Sequence, residues 1–227
     1  MHPSGFHFWP LAPYFFLGLA IFFVVAIALV ELGILSYAYE KMGVNRRYVF
    51  LVLFLALLGS YVNIPVARLG SETVLSGVDV DFFGVHYTVP VVRQWPGTVL
   101  AVNVGGAIIP TILSVYLLVR NRLYVPALLG VIVVTAVVHH LAEPVMGVGI
   151  AVPTFVPPII AAAIALLLSR DRAAPLAYIS GTLGTLIGAD LLNLGHLAGL
   201  GAPVASIGGA GTFDGVFLTG IIAVLLA

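Results

Sequence analysis

Stretches of about 20 residues almost free of charge recur along this whole chain, and each is long enough to cross about 30 Å of hydrocarbon as a helix. Between them there is little room for a soluble domain. Only nine Lys and Arg and nine Asp and Glu occur in 227 residues, a charged fraction of 8% against about a quarter in soluble globular domains. Mean hydropathy is +1.18. These features predict a single integral membrane domain over 1–227, all-α, a polytopic bundle of about seven transmembrane helices whose surrounding partner is the lipid bilayer. A net charge of zero argues against nucleic acid as a partner. The absence of cysteine removes disulfides, thiolate metal sites and cysteine nucleophiles. The GxG elements lack a preceding strand and a following lysine, which excludes nucleotide binding, and no cofactor is expected.

The apolar runs place the spans at about 13–37, 48–64, 97–119, 123–141, 155–168, 175–194 and 209–227. Trp9, Tyr14, Phe15 and Phe16 are placed as an interfacial aromatic belt at the start of the first. No Lys or Arg precedes that run, so it reads as a retained span rather than a cleaved signal peptide. One long polar segment, about 67–96, separates the second and third spans. Within it VDVDFFGVHYTVPV alternates around Gly84 and predicts a small β-hairpin, 78–82 pairing with 85–89. No internal repeat is evident among the spans.

Charge then orients the bundle. Lys41, Arg46, Arg47, Arg120, Arg122, Arg170 and Arg172 all follow odd-numbered spans, whereas only Arg68 and Arg93 fall on the other side. Cytoplasmic loops are enriched in Lys and Arg. This puts the N-terminus outside, the C-terminus in the cytoplasm and the hairpin in the extracytoplasmic loop.

Orientation converts sequence position into depth. At about 1.5 Å per helical residue, Asp190 stands about 22 Å above the cytoplasmic edge and Asp214 about 20 Å above it. Asn63, Asn103, His139, His140 and Glu143 map to the same outer half, with Asn193 and His196 close by in sequence to Asp190. Glu31 is the exception, towards the cytoplasmic end of the first span. Ionisable groups at such depth are costly, face inward and mark functional sites. Asp190 and Asn193 are three apart, His140 and Glu143 three, and His139 and Glu143 four, so each pair shares a face wherever the helix persists. Gly181, Gly184 and Gly188 on the sixth span, and Gly208, Gly209, Gly211 and Gly215 around Asp214, are the small residues that let membrane helices approach closely.

The leading reading of Asp190 and Asp214 is a catalytic dyad, two carboxyls sharing one proton that activate water against an amide. Its substrate would be a membrane protein or peptide. The competing readings are a proton- or ion-coupled transporter of small solutes, a metal site drawn from His140, Glu143, Asp190, His196 and Asp214, and a non-catalytic membrane component in which the carboxyls only fix packing. The string Gly211-Thr212-Phe213-Asp214 resembles the GxGD signature of presenilin-like and prepilin-peptidase-like intramembrane aspartyl proteases, with Phe213 where that signature has glycine. That resemblance implies one catalytic aspartate on each of two adjacent helices. The strings MGVGIAVPTFVPPIIAAAIALLL, GTLGTLIGADLLNL and SIGGAGTFDGVFLTGIIAVLLA, taken together, resemble a family of prokaryotic multi-pass membrane proteins defined as a domain of unknown function. This second resemblance implies a location in the prokaryotic cell membrane and no particular activity.

Overall fold

The computed structural model describes Val24, Ala28 and residues 31–227, apart from 71, 83–84, 96, 146–148, 198–203 and 210–214; of residues 46, 72–95 and 149 only the backbone is described. Packing divides the chain into two units, Met1–Tyr37 and Ala38–Ala227, and the account below concerns the second.

Among the described residues there are seven α-helices: α1 over 31–41, α2 Arg46–Gly59, α3 Ile109–Asn121, α4 Tyr124–Leu141, α5 Val156–Leu168, α6 Ala173–Thr185 and α7 Gly215–Leu226. Asn45 starts α2 by accepting from the Arg47 N–H, the usual N-cap bond. Proline in the first turn starts α5, where its missing N–H costs nothing. Arg122 ends α3 in the left-handed region at φ +53°.

The central helix is α6, with α3, α4, α5 and α7 packed against it. Every residue from Ala173 to Thr182 is buried, although this helix holds the serines, threonines and glycines. The outer helices instead present Leu, Val, Ile and Phe: Phe50, Phe54 and Leu58 on α2, Val125, Leu128 and Ile132 on α4, and Ile159 and Leu167 on α5 are all exposed. Three helical runs are long and apolar enough to cross a membrane, Val104–Asn121, Tyr124–Leu141 and Arg170–His196; α5, α7 and most of α2 are apolar but shorter.

Small side chains set the packing of α4 on α6. A Cβ on Gly130 would strike Ser180 Oγ, one on Gly184 would lie 2.6 Å from Val134 Cβ, and one on Gly188 would lie 2.7 Å from Thr135 O and 3.0 Å from Val138 Cβ. Contacts advance four residues at a time on both helices, so α4 and α6 run parallel. On the other side Gly181 meets Thr219 and Ala223, Gly220 meets Thr182 and Tyr178, and Leu186 packs with Val216. Here one number rises as the other falls, so α6 and α7 are antiparallel.

The fold is mostly helical, but it departs from an all-α bundle. The expected hairpin is present and longer than predicted, β2 Glu72–Phe82 pairing with β3 Val85–Trp95 in a register that sets Phe82 opposite Val85. The unexpected element is a three-stranded sheet in the order β1-β4-β7, made of Asn63–Arg68, Val99–Asn103 and Val204–Ile207. Strand β4 is antiparallel to β1 and parallel to β7. A short hairpin, β5 Glu143–Val145 with β6 Gly149–Ala151, follows α4.

Four expected spans therefore change. The second ends at Gly59, not 64, because Asn63 and Ile64 pair with β4. The third does not begin as helix at 97: Gly97 is at φ +99° and the β-branched run after it is β4, followed by a π-turn, Val104–Ile108. The sixth leaves α geometry after Thr185, passing through a π-turn, Leu186–Asp190, and a 3-10 segment, Leu191–His196. The seventh does not begin as helix at Gly209, which follows β7 at φ +79°, and its described helical residues are Gly215–Leu226.

Candidate functional site

The sheet ends in a knot of amides and hydroxyls where α2, the π-turn before α3, β7 and the broken end of α6 meet. Asn63 opens β1 and Asn103 closes β4, and the two are direct cross-strand partners. Asn103 is fully buried. Its Oδ1 accepts from Gly106 N at 2.7 Å, and its Nδ2 donates to Ser60 O at 2.8 Å and to Asn63 Oδ1 at 3.1 Å. Because Gly106 offers only an N–H, the orientation of the Asn103 amide is fixed, and that fixes Asn63 with its oxygen inward. Ser206 Oγ, on β7, lies 2.6 Å from Asn63 Oδ1 and also 2.6 Å from Gly209 O. One hydroxyl proton is thus shared between two acceptors.

Glycine makes the knot possible. A Cβ on Gly106 would overlap Gly208 O, and one on Gly105 would overlap Ala56 O and Ser60 N. Gly208 and Gly209 have φ of +83° and +79°, a region open to glycine at little cost. Their turn carries the Gly208 N–H to Asp190 Oδ2 at 2.7 Å. Asp190 is half-buried at the end of the π-turn of α6. An apolar cluster of Ala107, Leu186, Ile207 and Val216, with Leu100, Val102 and Leu194 against it, packs beneath.

Asn193 is buried in the 3-10 segment, where its Nδ2 donates to Gly188 O at 2.9 Å and Ala189 O at 3.0 Å, the carbonyls freed where α6 breaks. His139 Nδ1 lies 3.3 Å from the same nitrogen.

Of the residues singled out in the sequence, Asn63 and Asn103 meet directly, Asn193 and His139 meet each other, and Asp190 is bonded to the Gly208 turn. His140, Glu143 and His196 are exposed. The helix does not persist to Glu143: α4 stops at Leu141, Ala142 is extended and Glu143 lies in β5, so the shared face with His139 and His140 is lost. Asp214 lies outside the described residues, as do 13–23 of the first span and the Gly211–Asp214 string. Among the described residues no three His, Asp or Glu come together as a metal site would need.

Sequence reasoning missed Ser60, Ser206 and the paired Gly-Gly turns. A signal for them exists. Asn103-Val104-Gly105-Gly106-Ala107 and Ser206-Ile207-Gly208-Gly209-Ala210 are the same pattern, a polar residue, a β-branched one, two glycines and alanine. They stand at the ends of two parallel neighbouring strands. Five residues is too short a repeat to stand out among 25 glycines, and only the pairing of β4 with β7 gives it meaning.

A family model described as "Protein of unknown function (DUF1614)" matches residues 57–226. The chain belongs to that family. No curated protein and no solved structure matches it. The DUF1614 region runs from the last turn of α2 to α7, so it takes in Ser60, Asn63, Asn103, Asp190, Asn193 and Ser206 together with both Gly-Gly turns, and leaves out Glu31 and α1. The polar knot therefore lies wholly within what defines the DUF1614 family.

Proposed function

We propose that this chain is an integral membrane protein of the prokaryotic cell membrane, crossing the bilayer about seven times with its N-terminus outside, and that it hydrolyses peptide bonds in or near the outer half of the membrane. Asp190 and Asp214 act as a pair: one carboxylate takes a proton from water while the other, protonated, donates to the substrate carbonyl. The membrane setting is supported by the outward Leu, Val and Phe of α2, α4 and α5 around a core helix rich in Ser, Thr and Gly, the distribution expected when the surroundings are lipid.

The observation that carries the enzymatic reading is the antiparallel register of α6 on α7, in which Gly181 meets Thr219 and Leu186 meets Val216. Asp190 stands four residues past Leu186, in the π-turn that continues α6, and Asp214 directly precedes Gly215 in the sequence. A dyad requires one carboxyl on each of two adjacent helices, and these two helices are adjacent and drawn close by glycine.

The test is cleavage of a set of single-span membrane proteins by the purified, reconstituted chain. Wild type should release fragments, and Asp190→Asn and Asp214→Asn should each reduce that release at least a hundredfold, since one protonation role is lost in either. Equal fragment yields from all three proteins would defeat the proposal.

A second reading, a proton- or ion-coupled transporter, is favoured by the break in α6 at Asp190, because discontinuous helices at membrane depth build such sites. Uptake of a solute driven by an imposed proton gradient, with no fragment release, would select it.

A further inference from the structure

One face of α6 is unaccounted for by either reading. Tyr178, Thr182 and Thr185 occupy i, i+4 and i+7 positions and so share a side of the helix. They are 2%, 0% and 4% exposed. Continuing as α-helix, the next residue on that side would be Ala189. The π-turn over Leu186–Asp190 closes i→i+5 bonds and so admits one extra residue, and by that geometry Asp190 rather than Ala189 is the next residue in line after Thr185.

The hydroxyls on and beside this face want partners. Thr185 Oγ1, and Ser114 Oγ on α3 packed against α6, are buried and have no hydrogen-bond partner among the described residues. The ordinary resort of a helical Ser or Thr, the carbonyl one turn back, is not taken. Leaving such a group bare is costly, so each is a natural partner for internal water. Lower on the same face Thr182 Oγ1 and the Tyr178 ring both border Gly220, where α7 offers no side chain to fill the space.

The lower end is polar too. By the antiparallel register Val224 is level with Tyr178, and Lys41 Nζ donates to Val224 O at 3.0 Å. Tyr39, two residues before Lys41, is 1% exposed. The other ionisable groups on helices packed against α6 are Tyr116 and Arg120 on α3 and Tyr124, His139 and His140 on α4, while α5 and α7 have none.

We propose that Tyr178, Thr182 and Thr185, bridged by internal waters, form a proton path between the Asp190 carboxyl and the Tyr39–Lys41 end of the bundle. The helix rises about 6 Å from Tyr178 to Thr182 and about 4.5 Å from Thr182 to Thr185, and internal water joins hydroxyls that do not meet directly. In each hop an oxygen accepts a proton on a lone pair and passes its own forward. The net change is conversion of the Asp190 carboxylate to carboxylic acid by one proton from hydronium at the lower end, which is left as water. Only O–H bonds form and break, and no co-reactant is required. The path stands independently of peptide cleavage and is measured without substrate.

The experiment is a rapid pH drop on the full-length protein in lipid nanodiscs, followed by time-resolved infrared difference spectroscopy of the carboxylic C=O band, with Asp190→Asn identifying the band that belongs to Asp190. Thr185→Val removes the hydroxyl at nearly constant volume and should slow the appearance of that band at least tenfold. Tyr178→Phe should do the same, and Thr185→Ser should restore the wild-type rate. Thermal unfolding of each variant shows whether the fold is intact. If Thr185→Val is folded and protonates Asp190 at the wild-type rate, the proton arrives by another route and the proposal is overturned. It is also overturned if Asp190→Asn removes no band, or if Thr185→Ser is as slow as Thr185→Val.

Discussion

Glycine does two different jobs in this molecule, and setting the α4–α6 seam beside the polar knot shows why. Along the seam Gly130 and Gly184 face the Ser180 and Val134 side chains, and only Gly188, at its end, meets a carbonyl, Thr135 O. What would meet an added methyl there is largely side chain, and a side chain can be trimmed or turned. In the knot Gly105, Gly106 and Gly208 face backbone: Ala56 O and Ser60 N, Gly208 O, and Ala107 N. Backbone has nowhere to go without breaking hydrogen bonds. The seam uses small residues for dispersion contact between helices, whereas the knot uses them so that main-chain amides reach Asn103, Asp190 and each other. Lost packing in the first is local and graded. In the second it propagates through every group that shares a proton.

The sharpest break of this comparison is Gly106→Ala. Its Cβ overlaps Gly208 O, so the β7 turn must move and release both Asp190 and Asn103. A loss of about 3–5 kcal/mol is expected, read as failure to recover folded protein in mild detergent or a large fall in its unfolding temperature. A Gly106→Ala protein as stable as wild type would show that the turn is pliant and the distinction false.

Next comes Asn103→Ala, which leaves Gly106 N and Ser60 O without their buried partner and takes one donor from Asn63. About 2–3 kcal/mol should be lost, measured by equilibrium unfolding in mixed micelles. Asn63→Ala should cost less, because Asn63 is only half-buried and Ser206 keeps Gly209 O as an acceptor. The two losses should be non-additive, since the residues share one network.

On the seam, Gly184→Ala places a methyl 2.6 Å from Val134 Cβ, an overpacking worth about 1–3 kcal/mol. Val134→Ala in the same chain should recover most of it. No second-site truncation of that kind should rescue Gly106→Ala, and finding one would blur the line between the two regions. The smallest effect is expected at Gly195, where nothing lies within 4 Å of an added Cβ; Gly195→Ala should change stability by less than about 0.5 kcal/mol.

Part of this fold can be read directly from residues. Spans four and five were placed at about 123–141 and 155–168, and α4 and α5 occupy Tyr124–Leu141 and Val156–Leu168. These are continuous apolar runs, bounded by an Arg-Asn-Arg turn, a Gly/Pro connector or charge. The β2–β3 hairpin was legible for a related reason, since alternation over a short loop needs no distant partner. Depth reasoning also grouped Asn63 with Asn103, which the structure shows as cross-strand partners. Strands β4 and β7 were not legible. Val99–Val102 is a short apolar run inside a longer apolar stretch, and such a run reads equally as helix or strand until its partner is known. That partner, Val204–Ile207, lies about a hundred residues away.

The sequence by itself determined that this chain is dominated by apolar helices and where most of them lie, because hydrophobic length and charge are local quantities that a run of residues carries alone. Only the tertiary structure decided that Asn63, Asn103 and Ser206 share one hydrogen-bond network, that Asp190 closes on the Gly208 turn, and that α6 breaks into a π-turn at that carboxyl. Each of those facts depends on which backbone donor meets which acceptor across strands and helices distant in the chain, and that pairing is settled by close packing of the whole rather than by the composition of any segment.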